Sequence, residues 1–338
     1  MTGVQTIEVR EEDADTRLDR WFKRHFPGLN HIQLEKLLRT GQVRVDGGRV
    51  KAAHRLAAGM MVRVPPMDDR AAATPEEKAH RQSVAKPPKA MTEREKASLQ
   101  ALVLYRDKDV IAINKPHDLA VQGGTNTATH LDGMLDALKF DAEERPRLVH
   151  RLDKDTSGVL LLARSAKAAA WLAEAFREKT AHKTYWAVVA GVPKPHQGRI
   201  DMPVGKTNSG SREKMAVDDE DGKRAVTYYT VIEQAAQKAS WLALLPVTGR
   251  THQLRVHTAE LGTPILGDGK YGGPAAILSG LEQGRKMHLH ARSISLKRPD
   301  GKTLTVTAPL PPHMQATWKF FGFAADTEGD PFAELELE

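Results

Sequence analysis

The sequence predicts an α+β protein in which a small basic N-terminal domain precedes a larger domain built on a mainly antiparallel mixed sheet with flanking helices. Its 338 residues are more than a single domain usually contains, which favours two domains. Hydrophobic residues make up 40% of the chain and charged residues 28%, as is typical of soluble globular proteins. In the second half, strand candidates are too many and too rarely separated by helices for repeated βαβ units.

The N-terminal domain, residues 14–66, is predicted to run helix, helix, strand, strand. Pro27 and Gly28 separate two apolar sets at helical spacing, and Gly41 suits the end of the second helix. The members of the two sets are Leu18, Trp21 and Phe22, then Leu34, Leu37 and Leu38. Alternating valines at 43–45 and 62–64 then predict strands, with a hairpin turn at 46–48. The result is a small α/β domain.

Positive charge is concentrated in this domain. Between Thr16 and Arg55 there are 10 Lys or Arg residues against 3 Asp or Glu, so this segment alone carries a surplus equal to the whole chain's net charge of +7. Lys36, Arg39 and Arg44 lie on the predicted second helix and hairpin. A basic face of this kind favours a polyanionic partner such as RNA, although a solvated face without a ligand has the same pattern.

Composition changes sharply at two other places in the chain. Residues 67–98 are rich in proline and in charges of both signs, which predicts a flexible linker. Residues 321–338 form a predicted acidic tail, because six acidic and no basic side chains occur from Ala324 onward. We expect this tail to be mobile and solvated.

The larger domain is predicted between these segments, at residues 99–320. Ser165 is the expected N-cap of its clearest helix, which extends to Lys179 with an apolar stripe. The predicted strands are 103–105, 110–113, 159–163, 184–189, 226–232, 241–247, 293–296 and 303–306. A polar turn, 106–109, separates the first two strands.

Several classes of function are excluded or disfavoured. The absence of cysteine removes disulfides, thiolate metal sites and cysteine nucleophiles, and fits a reducing cytoplasm. No apolar run approaches the length of a membrane span, so no membrane partner is expected. The Gly-Lys-Thr sequences ending at Thr207 and Thr303 lack the earlier glycine of a phosphate-binding loop. We expect His252, His257, His288 and His290 to pack or touch phosphates and not to bind metal.

A polar loop at 150–158, His-Arg-Leu-Asp-Lys-Asp-Thr-Ser-Gly, carries the strongest sign of chemistry. It lies between apolar strand candidates, and its density of charge exceeds what a turn requires. Thr156, Ser157 and Gly158 are explained as turn formers, and Asp155 as a carboxylate that caps the loop. Arg151 and Asp153 are less easily explained in this way.

With four further stretches, this loop identifies the chain as resembling the ribosomal large-subunit pseudouridine synthases of the RluA family. The agreeing stretches are Ile-Asn-Lys-Pro at 113–116, Lys-Thr-Tyr at 183–185, Thr-Gly-Arg-Thr-His-Gln-Leu-Arg-Val-His at 248–257 and Pro-Ile-Leu-Gly-Asp at 264–268. The resemblance covers roughly residues 99–312 and is nearest to the C type, which acts on 23S rRNA. The stretch 38–50 resembles the αL motif of S-four RNA-binding domains.

The resemblance implies a pseudouridine synthase fold and isomerisation of uridine to pseudouridine in structured ribosomal RNA, without cofactor or metal. Asp153 matches the essential carboxylate, which acts either as nucleophile on the anomeric carbon or as base on the ribose 2′ proton. Arg255 matches the arginine that pairs with it and favours its ionised form. Tyr185 matches the tyrosine that stacks on uracil and is proposed to help remove the carbon 5 proton.

The same resemblance implies substrate contacts. Arg151 would fill the space that a flipped uridine leaves, unless it only forms an ion pair with Asp155. Leu289 would form an apolar floor beneath the base, and Arg250 would bind RNA, as would the three basic side chains of the N-terminal domain.

One departure from the family pattern follows Lys115 and Pro116, which are interpreted as scaffold. The family usually has a small residue and glycine next, whereas this chain has His117 and Asp118. Aspartate tolerates a left-handed turn, so we expect the loop to survive. A non-catalytic RNA-binding or ribosome-assembly factor is the remaining alternative, and a monomer is expected.

Overall fold

The computed structural model describes residues 3–66, 91–123, 129–207, 214–325, 329–333 and 335. The chain divides into two compact units, Met1–Ala90 and Met91–Glu338, which are described separately. Among the described residues, no helix combines the length and the apolar character that crossing a bilayer would require.

The first unit is a three-stranded antiparallel sheet with two helices. Its elements are β1 (Gln5–Glu8), α1 (Leu18–His25), α2 (His31–Arg39), β2 (Arg44–Val45) and β3 (Met61–Val64). β3 is central and pairs with β1 and β2. Leu18, Trp21 and Phe22 project from one face of α1 into the core, where each is at most 1% exposed.

Local signals account for most of this unit. Asn30 caps α2, because its Oδ1 accepts a hydrogen bond from Gln33 N at 2.8 Å and its N–H donates to Gln33 Oε1 at 3.0 Å. Two helices followed by two strands lie within residues 14–66, in the order that the sequence predicts, and β1 precedes them. The predicted start at residue 14 is too late, since β1 pairs with β3 along its whole length. Ile7 is the single apolar side chain of β1, which leaves almost no strand signal in the sequence.

The second unit contains most of the secondary structure. Its elements are α3 (Glu93–Gln100), β4 (Val103–Arg106), β5 (Val110–Lys115), α4 (Leu131–Met134), β6 (Arg147–Leu148), β7 (Ser157–Ala163), α5 (Ala166–Arg177), β8 (His182–Ala190), β9 (Gln197–Asp201), β10 (Val204–Thr207), β11 (Lys214–Val217), β12 (Val226–Ala235), β13 (Ala239–Pro246), α6 (Gln253–Glu260), β14 (Leu289–Lys297), β15 (Thr303–Thr307) and α7 (Pro312–Phe321).

Ten of these strands form one sheet. Its order is β4-β5-β7-β14-β8-β13-β12-β9, with β6 added beside β7 and β15 beside β14, while β10 and β11 form a separate hairpin. Of the strand pairs that the described residues form, β7 with β14 is parallel and the others are antiparallel. The predicted α+β class with a mainly antiparallel sheet is confirmed.

Burial explains why the central strands are continuous apolar runs. Every residue of β7 and of β13 is buried, so these strands are covered on both faces. α5 begins as predicted, with Ser165 Oγ accepting a hydrogen bond from Ala168 N at 3.0 Å. It ends at Arg177, two residues before the predicted Lys179.

The predicted linker is too long at its C-terminal end. Residues 93–98 belong to α3, which Thr92 caps by accepting a hydrogen bond from Glu95 N. Leu99 then packs into the core of the second unit. Residues 67–90 of the predicted linker lie outside the described residues.

The prediction of a mobile acidic tail is wrong for its described part. Phe323 and Phe332 are 8% and 3% exposed, and both belong to the core cluster that contains Trp186, Trp241 and Trp318. The acidic composition hid two aromatic anchors whose burial outweighs the cost of ordering the chain.

Ser157 and Gly158 are not turn formers, as the sequence suggested, but begin β7. Gly158 has φ +110, and a Cβ there would lie 2.2 Å from Ala291 O of β14. Ser157 Oγ shares a hydrogen bond of 2.9 Å with His290 Nδ1 on the same neighbouring strand. This close approach of β7 to β14 fixes where the preceding loop, 149–156, leaves the sheet.

Replacing Gly158 by alanine should destabilise the protein by about 4 kcal/mol or more, because the new methyl group meets backbone atoms in a strained conformation. Gly301 is a matched control, since it also has a positive φ, of +81, but has no atom within 4 Å of a built Cβ. Gly301→Ala should cost about 1 to 2 kcal/mol. Urea unfolding measures both, and equal losses would contradict the steric argument.

Candidate active site

A cavity of about 510 Å³ opens on the second unit. All six residues of this unit that the sequence nominated line it, namely Arg151, Asp153, Tyr185, Arg250, Arg255 and Leu289. They come from the loop 149–156, β8, the start of α6 with its preceding turn, and β14. Residues far apart in the sequence are therefore brought to one concave surface.

The loop that carries Asp153 is fixed from two sides. Leu152 is 6% exposed and packs in the core beneath the loop. Lys115, which is fully buried, donates hydrogen bonds from Nζ to the carbonyl oxygens of Pro116 at 2.8 Å, Leu119 at 2.9 Å and Lys154 at 3.0 Å. Lys115 thus has a scaffold position beside the site.

Burial lowers the pKa of Lys115 to about 8, and the carboxylates of Asp155, Asp153 and Asp118 oppose this shift. Asp118 and Asp155 also lie near His117, with one potential ligand atom of each within 4.8 Å of the others. Because the Lys115 ammonium already neutralises charge among these carboxylates, this group is explained without a metal ion.

The loop after Lys115 and Pro116, where His117 and Asp118 depart from the family pattern, still forms a turn. Asp118 has φ +70, the left-handed conformation that was expected of it. Its Oδ2 lies 2.8 Å from His117 Nδ1, and the His117 ring packs against that of His313 at 5.3 Å between centroids. The loop therefore accommodates both larger side chains.

Arg255 contacts two carboxylates. It donates two hydrogen bonds to Asp268, from Nε at 2.7 Å and from Nη2 at 2.8 Å, while its Nη1 lies 3.8 Å from Asp153 Oδ2. Burial works to lower the pKa of Arg255, but the hydrogen bonds and charge of Asp268, with a contribution from Asp153, raise it. The predicted approach to Asp153 is present, but the strong partner, Asp268, was missed.

Tyr185 lies on β8 in the wall of the cavity. Burial raises the pKa of its phenol, and the neighbouring Asp153 carboxylate raises it further. Tyr185 is therefore a neutral phenol near pH 7.

The expected substrate contacts differ in their surroundings. Leu289 is 3% exposed, and the cavity reaches it at the start of β14. Arg151 is exposed, and of the ion pairs within 4 Å that the described residues form, none joins it to Asp155. Arg250 is anchored by a hydrogen bond from Nε to Arg224 O at 3.0 Å.

The remaining nominated residues belong to the first unit. Lys36 and Arg39 are exposed on α2, and Arg44 donates to Gly41 O at 3.1 Å from Nε. All three side chains belong to the first compact unit.

Three of the four histidines are structural. His257 Nδ1 bonds Thr227 Oγ1 at 2.9 Å, His288 Nε2 bonds Thr317 Oγ1 at 2.8 Å, and His290 bonds Ser157. All three are fully buried. His288 directly precedes β14, and His290 lies within it.

His252 is different and was missed as a site residue. It lines the cavity, with Nε2 at 3.8 Å from Asp153 Oδ2 and Nδ1 at 2.7 Å from Tyr271 Oη. Its φ of 55° at the N-cap of α6 is the one local peculiarity that marks it.

Comparison with known proteins gives consistent results. The sequence profile of the RNA pseudouridylate synthase family matches residues 109–260. Ribosomal large subunit pseudouridine synthase C of Pasteurella multocida is 36% identical over 93% of this chain and 92% of its own length. RNA pseudouridine synthase 4, mitochondrial, of Arabidopsis thaliana is 34% identical over 97% of this chain and 84% of its own length.

A solved structure agrees with the sequence comparison. Human RNA pseudouridylate synthase domain containing 4 superimposes with a TM-score of 0.58 at 30% identity, covering 67% of this chain and 95% of that one. The fold expected of the larger unit is thereby confirmed.

Replacing Asp268 by asparagine should destabilise the protein by about 3 to 5 kcal/mol, because it leaves the buried Arg255 guanidinium without its main counter-charge. Glu144→Gln is the control, since Glu144 pairs with Arg147 at the surface, where its side chain is 49% exposed. That change should cost less than about 1 kcal/mol. Thermal and urea unfolding compare them, and similar losses would show that Asp268 has no special role.

Proposed function

The chain belongs to the RNA pseudouridylate synthase family and is an isomerase that converts uridine to pseudouridine in RNA, and from this premise we propose that its substrate is ribosomal RNA, specifically 23S rRNA, with Asp153 as the catalytic carboxylate. The convergence of all six nominated residues on one cavity carries the proposal. The relative from Pasteurella multocida supports the choice of RNA through its name, ribosomal large subunit pseudouridine synthase C.

The reaction breaks the bond from the anomeric carbon to N1 of uracil and forms one to carbon 5, whose proton is lost while N1 gains one. Asp153 acts either by adding to the anomeric carbon or by taking the ribose 2′ proton, and both roles need the carboxylate ionised. The Arg255 guanidinium, with Nη1 at 3.8 Å from Asp153 Oδ2, limits the directions in which the carboxylate can point.

The target uridine must leave its stack to reach Asp153, at a cost of a few kcal/mol. Arg151 is exposed on the same loop as Asp153 and free of Asp155, so we assign it the space that the base vacates. Tyr185 would stack on uracil as a neutral phenol, with Leu289 as the apolar floor. Arg250 would bind a phosphate at the edge of the cavity.

The first unit is proposed to bind RNA as an S-four-like domain. Lys36, Arg39 and Arg44 give it a basic surface of the kind that contacts phosphates without reading sequence. It would add affinity and narrow the choice of uridine.

Compartment and assembly are also proposals. The absence of cysteine fits a reducing compartment, and we propose the cytoplasm. We further propose that the protein acts as a monomer.

Asp153→Asn should reduce isomerisation at least about 10³-fold while RNA affinity stays within about threefold, because the carboxylate acts in the chemical step. Tritium release from carbon-5-tritiated uridine in a 23S rRNA transcript measures the rate. Asp155→Asn, two residues on in the same loop, is the matched control and should keep most of the activity.

The same variants test the target in cells that lack the protein. Pseudouridine mapping should show sites in 23S rRNA that are lost, restored by the wild type and by Asp155→Asn, and not restored by Asp153→Asn. Pseudouridines lost only from other RNAs would refute the proposed substrate, and an active Asp153→Asn would refute the proposed catalytic residue.

Replacing Lys36, Arg39 and Arg44 together by glutamine should weaken RNA binding and reduce the slope of log affinity against log salt by about 2 to 3, if each contacts one phosphate. A control with the same charge change replaces Lys297, Lys302 and Lys319, which are exposed on the second unit. Filter binding at several salt concentrations measures the slope, and circular dichroism checks folding. Equal slopes for the two triple variants would exclude an RNA-binding face on the first unit.

A further inference from the structure

The carboxylate of Asp153 has a second neighbour besides Arg255. His252 Nε2 and Arg255 Nη1 each lie 3.8 Å from the same oxygen, Asp153 Oδ2. The two groups come from the N-cap and the first turn of α6. One short segment thus presents two nitrogen atoms to one carboxylate oxygen.

Arg255 alone cannot fix the orientation of this carboxylate. Its Nε and Nη2 are occupied by Asp268, so Nη1 is the nitrogen left to face Asp153. A single contact allows the carboxylate to rotate about the bond to Cβ, because one point does not define a plane. A second donor from another direction removes that freedom.

Tyr271 determines where His252 carries its proton. The Tyr271 hydroxyl accepts a hydrogen bond from Met215 N of β11 at 3.3 Å and lies 2.7 Å from His252 Nδ1. Burial raises the pKa of Tyr271, so the hydroxyl keeps its proton and can donate it to Nδ1. The imidazole hydrogen then resides on Nε2, which faces Asp153.

The opposite tautomer is disfavoured. It would direct the lone pair of Nε2 at the Asp153 carboxylate, and two negative atoms would face each other in a partly buried cavity. The pKa of His252 is lowered, mainly by burial and further by Arg255 and Lys270, while Asp153 opposes this shift. The imidazole is therefore neutral and carries a single N–H hydrogen, either on Nδ1 or on Nε2.

We propose that His252, held by Tyr271, is a positioning residue that donates from Nε2 to Asp153 Oδ2 and, with Arg255, directs the other carboxylate oxygen toward the ribose. The inference rests on the proposed role of Asp153. A separation of 3.8 Å exceeds a hydrogen bond, and such contacts commonly tighten when substrate fills a site. The left-handed backbone of His252, with φ 55°, aims the ring at the cavity at some cost in strain.

Two substitutions of His252 separate positioning from structure. Asparagine suits a left-handed residue and can still bond Tyr271, but its side chain is too short to reach Asp153. Glutamine places an amide nitrogen near the position of Nε2. In single turnovers on the carbon-5-tritiated 23S transcript, His252→Asn should be slower by about 10- to 100-fold, and His252→Gln should be within about threefold of wild type.

Tyr271→Phe tests the proton assignment, because it keeps the ring against Arg255, at 4.9 Å from the guanidinium carbon, and removes the hydroxyl. It should slow the reaction about fivefold or more. Combined with His252→Asn it should add no further loss, since the two residues act through one contact. The dissociation constant for the transcript should stay within about twofold in every variant.

Several outcomes would overturn the inference. These are equal rates for the asparagine and glutamine variants, a loss confined to RNA affinity or to stability, or additive effects of the His252 and Tyr271 changes. Asp153→Asn is measured in parallel. If it stays active, the proposed catalytic residue fails; if it is inactive and His252→Asn matches wild type, the positioning role alone fails.

Discussion

The buried pair of Arg255 and Asp268 is the interaction on which the site depends. The two side chains are 8% and 1% exposed and share two hydrogen bonds, and Asp268 Oδ1 also accepts from the backbone N–H groups of Lys270 and Tyr271. Such a pair is stable only when both charges and their hydrogen bonds are satisfied together. It therefore fixes the start of α6 against the loop after residue 265, and with it the one guanidinium nitrogen that faces Asp153.

A second buried cation holds the opposite side of the site. Lys115 binds three carbonyl oxygens, one of them from Lys154, the residue after Asp153. Lys115 lies at the end of β5, and β7, which follows the loop 149–156, is held against β14 at Gly158. The position of Asp153 is therefore set by strands and not by the loop itself. Catalytic groups held in this way need little reorganisation when the substrate binds.

Local patterns, which span a few residues of the sequence, predicted much of the fold. Contacts between segments that are distant in the sequence could not be predicted in this way. The apolar run of β7 and the cap at Ser165 were correctly predicted, since their causes are local. Asp268, His252 and Tyr271 were missed because no periodicity connects them with Asp153. Gly158 was interpreted as a turn former because the group that requires a glycine there, the backbone of Ala291 on the paired strand, lies 133 residues further along the chain. Phe332 was missed because the acidic residues around it dominated the composition.

The electrostatics of the cavity also limit what each group can do. Tyr185 is kept as a neutral phenol by burial and by Asp153, so the negative charge that the carboxylate needs for its own role disfavours a tyrosinate beside it. The pKa of His252 is lowered by burial, so its imidazole is neutral as well, and its Nε2 lies 3.8 Å from Asp153 Oδ2. Both neighbours would thus act through the direction of their hydrogen-bonding groups and through packing, which leaves the acid-base or nucleophilic role that we propose to Asp153. In this arrangement the Asp153 carboxylate has a guanidinium, a phenol and a neutral imidazole as neighbours, each with a separate part in the proposed site.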